Sequence, residues 1–432
     1  MRHIKLTILI AAVLSLTLFA ACSANQPGPG SDPTQDALTP TATPVPTAVV
    51  TPEPTEAPTE APTEAPAPTE PGAEVQFYSP MFEAFFRGKI GKQNGPIYEA
   101  DVLSVKRLEL NDQRLFELRD IAMLKNLVDL SLKGTDVEDI SFLTELHNLK
   151  KLTLMSNDKL KDYSPIASLK GLEYFVIRGQ HHPIQDVSIF SEMTDLVELD
   201  LSSCSAKDIT PLAGLTKLKK LIVFDFSAEG TGVGDISVVA NFPQLEYLMI
   251  KGTFEDLTPL AGLTKLEKIV ITGRASDLTP LAGLTEMESL DISCEGITDI
   301  TPLAGMTKLE SLSISGNVSD ISTVAGFTEL KSLRMGYNDI SDISPIAGLS
   351  KLTELVLNYN RIKDVSAIAG LTELQDVNLS GNLIEDPTPF YGLTKLRFLG
   401  LVGNPVPEEL RQELREKLPG GGVYFGDGED DD

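Results

Sequence analysis

The chain has 432 residues, 42% of them hydrophobic, with 28 prolines, three cysteines, no tryptophan and a formal net charge of −26. Such acidity argues against nucleic acid and against flat contact with an anionic membrane surface. Three cysteines, one of them at a leader boundary, are too few to staple a secreted chain of this length.

Residues 1–21 read as a signal peptide. Arg2, His3 and Lys5 form a charged start, and an apolar run from Leu6 to Ala20 follows, too short for a stable spanning helix. The run ends in Leu18-Phe19-Ala20-Ala21-Cys22, which resembles a bacterial lipobox with Phe19 where Leu is usual. That resemblance implies a lipid on Cys22 and a mature chain anchored at the extracellular face of a bacterial cell membrane, touching it through the lipid only. Loss of the leader removes Arg2 and Lys5 and no acid, so the mature charge is −28. Residues 22–74 form a tether: positions 23–74 hold 13 of the 28 prolines and no Lys or Arg, and Thr-Glu-Ala-Pro recurs from Thr55 to Pro66. This composition buries no core and favours extended, polyproline-like chain, about 3.1 Å per residue and on the order of 160 Å at full reach.

A phrase like Asp-Ile-Thr-Pro-Leu-Ala-Gly-Leu-Thr-Lys-Leu then recurs. Its aspartate falls at Asp139, Asp162, Asp186, Asp208, Asp235, Asp256, Asp277, Asp299, Asp320, Asp342, Asp364 and Asp386, at intervals of 21 to 27 residues. Each phrase leads into L-x-x-L-x-L, often followed by Asn, as at Asn317, Asn338, Asn360, Asn382 and Asn404. The alternating stretch predicts a strand with one buried face. Ser or Thr before Pro, as in Thr210-Pro211, predicts an N-cap and a proline at the first position of a short helical turn. No single coil buries its own leucines, whereas stacked coils do.

Residues 105–404 therefore resemble the internalin type of leucine-rich-repeat protein, with a repeat of about 22 residues. The resemblance implies an α/β solenoid with a concave parallel β-sheet and convex short 3₁₀ or α segments. Fourteen strands are expected, beginning near Val105, Leu127, Leu149, Leu172, Leu196, Leu218, Leu245, Leu266, Met287, Leu309, Leu330, Leu352, Leu374 and Leu396. It further implies recognition of another protein through the concave face, in an adhesion or interaction role. The sequence departs from that pattern in having no C-terminal sorting signal and no cell-wall-binding repeats. A helical N-terminal cap is expected over 75–104 and a helical C-terminal cap over 405–420, with an acidic tail over 421–432 and a monomeric molecule overall.

No catalytic pattern is present, so an enzyme is not expected, and neither is a cofactor. His181-His182 without a third ligand makes no metal site. The aligned aspartates read as turn-fixing acceptors of backbone N–H groups rather than as calcium ligands. Cys204 and Cys294 lie four coils apart, about 19 Å at about 4.8 Å per coil, beyond disulfide reach. Cys204 occupies an Asn position and reads as a buried thiol; Cys294, one position earlier, is expected to be more exposed.

The outward positions of the middle strands stand apart from the small polar residues of the strands at Met287, Leu309 and Leu330. They place Tyr174, Val176 and Arg178, then Lys220, Ile222 and Phe224, then Tyr247, Met249 and Lys251, then Lys268 and Val270 on one face, with Glu198 and Asp200 between the first two sets. Aromatic, Met and Arg residues are what interfaces enrich, and an exposed apolar patch marks a contact site. The two coils of irregular length, at 178–185 and 225–234, carry His181, His182 and Phe226 beside it. The expectation is a ligand face for a protein, with a glycan stacked on Tyr174, Phe224 and Tyr247, or a purely structural envelope spacer, as alternatives.

Overall fold

Leucine at alternate positions, once per coil, makes each short strand bury one face and show the other. The computed structural model describes residues 72–111, 118–179, 181–224, 232–418 and 420–426; the leader, Cys22, the tether as far as residue 71, and Phe226 lie outside them. Strands β1 (Arg107–Asn111) to β14 (Phe398–Gly400) run in chain order as one parallel sheet. Each begins about two residues after the expected leucine, because that leucine is the last core residue before the strand. The register is unbroken: Leu312 pairs with Leu333, Leu333 with Leu355, and all three are 0% exposed. Burying each such leucine contributes about 1.5–3 kcal/mol, and the inward residues of all coils join in one continuous core.

Fourteen strands were expected and the sheet has fifteen. Gly422–Tyr424, in the stretch expected to be acidic tail, forms β15 and pairs with Phe398–Gly400. The amphipathic helix Glu408–Lys417 buries Leu414 and returns the chain so that Val423 and Phe425 cover the end of the core. At the other end, helix Pro80–Ile90 starts from Ser79, whose side chain accepts from the Phe82 N–H, and stops at left-handed Gly91. Phe82 and Phe86 are its buried face. Asp120, 5% exposed, fastens the cap to the first coil by accepting from the N–H groups of Tyr78 and Ser79 at 2.9 and 2.8 Å; nothing in the repeat pattern marked it.

The opposite side of each coil is a short 3₁₀ turn. The expected Ser or Thr N-cap is displaced by one position: Thr210 is already helical, Ile209 sits at the cap, and Pro211 follows Thr210. The capping oxygen comes from the aspartate. Asp208 Oδ1 accepts from the Thr210 N–H at 2.8 Å, and the other eleven aspartates do the same, among them Asp139, Asp277 and Asp386. The turn-fixing reading of the aspartate ladder thus holds at all twelve positions. The asparagines form a second ladder. Asn382 Oδ1 accepts from the Ile362 N–H of the preceding coil, and its Nδ2 donates to the Leu357 and Leu379 carbonyls. Asn338, Asn360 and Asn404 repeat this, whereas Asn317 is exposed and reaches only the Glu295 carbonyl.

Candidate ligand-binding face of the sheet

The register carries the outward side chains of β3 (Lys151–Met155) to β8 (Lys268–Gly273) into three rows. The first row is Lys151, Tyr174, Glu198, Lys220, Tyr247 and Lys268, each the register partner of the next. The second is Thr153, Val176, Asp200, Ile222, Met249 and Val270. Arg178, Phe224 and Lys251 belong to the third. All eleven candidate residues therefore lie on one face, but the face is not the open apolar patch expected from the sequence.

Ile222, Phe224 and Met249 are 4%, 2% and 5% exposed, and none of them belongs to the continuous core behind the sheet. They form a separate thin layer on the outward side, filled in by their larger neighbours. Phe224 carries the Lys251 ammonium 5.6 Å from its ring centre. Strand alternation assigns a side chain to a face; the size of the residues beside it decides whether water reaches it. Tyr174, Val176, Arg178, Lys220, Tyr247, Lys251 and Val270 are half-buried, and Lys268 is exposed.

Asp200 organises this layer from within. It is 0% exposed. Arg178 donates to its Oδ2 through Nε at 3.0 Å and again through Nη2, while the Ser202 N–H and hydroxyl donate to Oδ1. A buried carboxylate is tolerable only with such satisfaction. Burial, with the Asp200 charge nearby, pushes the Tyr247 phenol above its ordinary value. Two further lysines lie over aromatic rings of the adjacent strand: Lys151 at 4.3 Å from Tyr174 and Lys220 at 5.7 Å from Tyr247. Such pairs keep amphipathic lysines flat on the face.

Past β8 the face changes. Serines at 289, 293, 311, 313 and 315 surround Asp291, whose carboxyl is pushed up by burial against a hydrogen bond from Ser313 and the charge of Arg334. Arg334 is held by Glu354 through a bidentate pair at 2.7–2.9 Å. Sequence reasoning missed the aromatics at the C-terminal end. Tyr337 and Tyr359 are 36% and 49% exposed, stacked with centroids 4.6 Å apart, and both adopt positive φ where Gly381 and Gly403 stand in the next coils. Two tyrosines in a glycine column were the available signal.

Beside the sheet, the Tyr163 hydroxyl donates to the His182 carbonyl at 2.6 Å, and burial pushes its phenol to about 12. His181 and His182 are exposed on that loop, with His181 3.8 Å from Asp158; among the described residues no group of three metal-ligating side chains converges. Cys204 and Cys294 are free and buried. Cys294 was expected to be the more exposed, but the Gly273 and Ala275 N–H groups close over its thiol, which burial pushes up.

One parallel strand and one 3₁₀ turn per coil, fastened by asparagine and aspartate ladders, define a leucine-rich-repeat solenoid. The sequence profile described as leucine rich repeat matches residues 328–384. An internalin (inlF) from Listeria monocytogenes is 32% identical, over 72% of this chain and 92% of its own, with a TM-score of 0.65. The chain belongs to the internalin family of leucine-rich-repeat proteins. The functional domain of InlJ from Listeria monocytogenes shares the fold at 18% identity, over 73% of this chain and 76% of its own, with a TM-score of 0.53. So does the plant peptide hormone receptor RGFR1, solved in complex with RGF2, at 16% identity, over 76% of this chain and 64% of its own, with a TM-score of 0.52. No curated protein sequence matches the chain.

Proposed function

We propose that this chain is a non-catalytic binding protein of the bacterial cell surface, anchored by a lipid on Cys22, held off the membrane by residues 22–74, and engaging a protein partner through the outward face of β4–β8. The observation that carries the reading is the row Tyr174, Glu198, Lys220, Tyr247, Lys268: consecutive register partners, two tyrosines and two lysines about a single glutamate, on one sheet of an acidic molecule. Tyrosines offer large contact area at small entropic cost, which suits them to anchor a partner. That RGFR1, a plant peptide hormone receptor of the same fold, was solved in complex with RGF2 supports a polypeptide as the partner. Burial of Phe224 removes one of the three rings on which a sugar would stack, which favours protein over glycan.

Residues 72–432, immobilised and exposed to envelope and host-cell extracts, should retain a partner that Tyr174→Ser/Tyr247→Ser loses. Both side chains are half-buried, so the double variant keeps its fold; Phe224→Ser would not and is unsuitable as a control. A partner held equally by wild type and variant would move the site off this face. For the anchor, Cys22→Ala should abolish labelling of the chain by radioactive fatty acid and release it into the medium; unchanged labelling would exclude Cys22 as the attachment point.

A further inference from the structure

The outward face of β3–β8 is electropositive on a chain whose formal charge is −26. Among the described residues, Lys151, Arg178, Lys220, Lys251 and Lys268 stand there against two carboxylates, Glu198 and Asp200. Asp200 is consumed by Arg178, and Glu198 sits 3.5 Å from Lys220. Lys151 and Lys268 are exposed and, among the described residues, pair with no carboxylate. On the outward face of β9 (Ser289–Cys294) to β13 (Asp376–Asn378) the balance reverses: Asp291, Glu354 and Asp376 face one cation, Arg334, itself clamped by Glu354. The positive zone therefore has an edge, between β8 and β9. Elsewhere the lysines are largely spent on pairs between neighbouring coils, such as Lys217–Asp195, Lys308–Glu286 and Lys395–Glu373.

From this charge pattern we infer that the partner presents an acidic polypeptide segment laid across β3–β8, its carboxylates on Lys151, Lys220 and Lys268 and its apolar side chains on Tyr174 and Tyr247. The inference rests on the binding role proposed for this face and adds the chemistry of what binds. The acidity of the rest of the molecule does not forbid it, because at physiological ionic strength charges more than about 8 Å away are largely screened. The lysines of the first row are separated by three strands and then two, about 14 and 10 Å. Point charges so spaced suit separate carboxylates, whereas phosphate and sulfate recognition favours the arginine fork, and the one arginine here is committed to Asp200. The half-buried Tyr174, Val176, Tyr247 and Val270 between the lysines give apolar contact to a mixed acidic and apolar polypeptide. A segment of about eight extended residues spans Lys151 to Lys268.

The test uses the full chain and fluorescein-labelled deca-glutamate, followed by anisotropy at 50 and 300 mM NaCl, with heparin and inorganic polyphosphate as competitors. Saturable binding is expected that weakens with salt and falls by about tenfold or more in Lys151→Glu/Lys220→Glu/Lys268→Glu. Lys151→Gln/Lys268→Gln, which breaks no ion pair, should give a smaller loss in the same direction. Binding unchanged in both variants, or no saturable binding, overturns the inference. Heparin or polyphosphate displacing the probe at lower concentration than unlabelled deca-glutamate overturns it in favour of a sulfated glycan or a phosphate polymer. A partner captured through Tyr174 and Tyr247 while deca-glutamate fails to bind would overturn the acidic partner and leave the proposed face standing.

Discussion

Asp200 shows how one residue can decide the character of a surface. Read as a sequence position it interrupts an apolar stretch; in the folded chain it anchors the Arg178 guanidinium and the Ser202 turn beneath an outer layer of Ile222, Met249 and Phe224. Asp200→Ala should take the buried carboxylate away from Arg178 and from two Ser202 donors. The Arg178 side chain remains 31% exposed and recovers some hydration, so the loss should be about 2–3 kcal/mol, below that of a fully buried pair. Urea unfolding would measure it, and a change below about 0.5 kcal/mol would mean that the cluster does not support the face. The positive φ of Tyr337 and Tyr359 belongs to the same scale: at 59° and 55° each ring pays for a backbone conformation that its neighbours Gly381 and Gly403 adopt without strain.

Each coil is an element that cannot stand alone, and the asparagine ladder is what joins coils where the strands end. In the last four coils the side-chain amides of Asn338, Asn360, Asn382 and Asn404 bond backbone groups of the preceding coil in a dry interior. Asn382→Ala leaves the Ile362 N–H and the Leu357 and Leu379 carbonyls without their partner, so stability should fall by about 2–4 kcal/mol, read from the urea midpoint. A small effect would show that water enters to replace the amide. The middle coils lack this asparagine: Cys204 fills its column in β5 (Glu198–Leu201) and accepts from the Ala206 N–H at 3.4 Å. The sequence change that frees the middle loops from the consensus is thus compensated locally, beside the proposed ligand face.

Across the whole molecule the aspartate ladder ties stability to pH. Asp162, Asp186, Asp320 and Asp364 are held below the usual carboxylate range by the backbone N–H two residues on, then by its hydroxyl; at Asp208 and Asp277 the threonine hydroxyl leads. A carboxyl lowered by folding contributes stability above its unfolded value of 3.8, and that contribution disappears as pH falls through the folded value. Asp291, raised by burial, acts oppositely: its cost is present above 3.8 and fades on acidification. Many lowered groups outweigh one raised group, so the urea midpoint should be constant between pH 7 and 5 and drop below about pH 4. A midpoint that rises on acidification would contradict the ladder's role. Such acid loss should begin with opening of the terminal coils, which have one repeat neighbour instead of two.

The repeat, the strand and turn of each coil, the buried leucines and the aspartate acceptors were all determined by the sequence, because period-two alternation and local hydrogen bonding act within one coil or between adjacent ones. The face of every candidate residue was equally determined, since a pleat leaves no choice. Exposure was not. Whether Ile222, Phe224 and Met249 meet a partner or only one another depends on side chains one and two strands away, 20 to 50 residues distant in the chain, and on a buried carboxylate that ties Arg178 down. The fifteenth strand, the Asp120 clasp and the closure over Cys294 likewise join segments that carry no shared periodicity. Only the tertiary structure brings these together, because packing and desolvation are settled by neighbours in space.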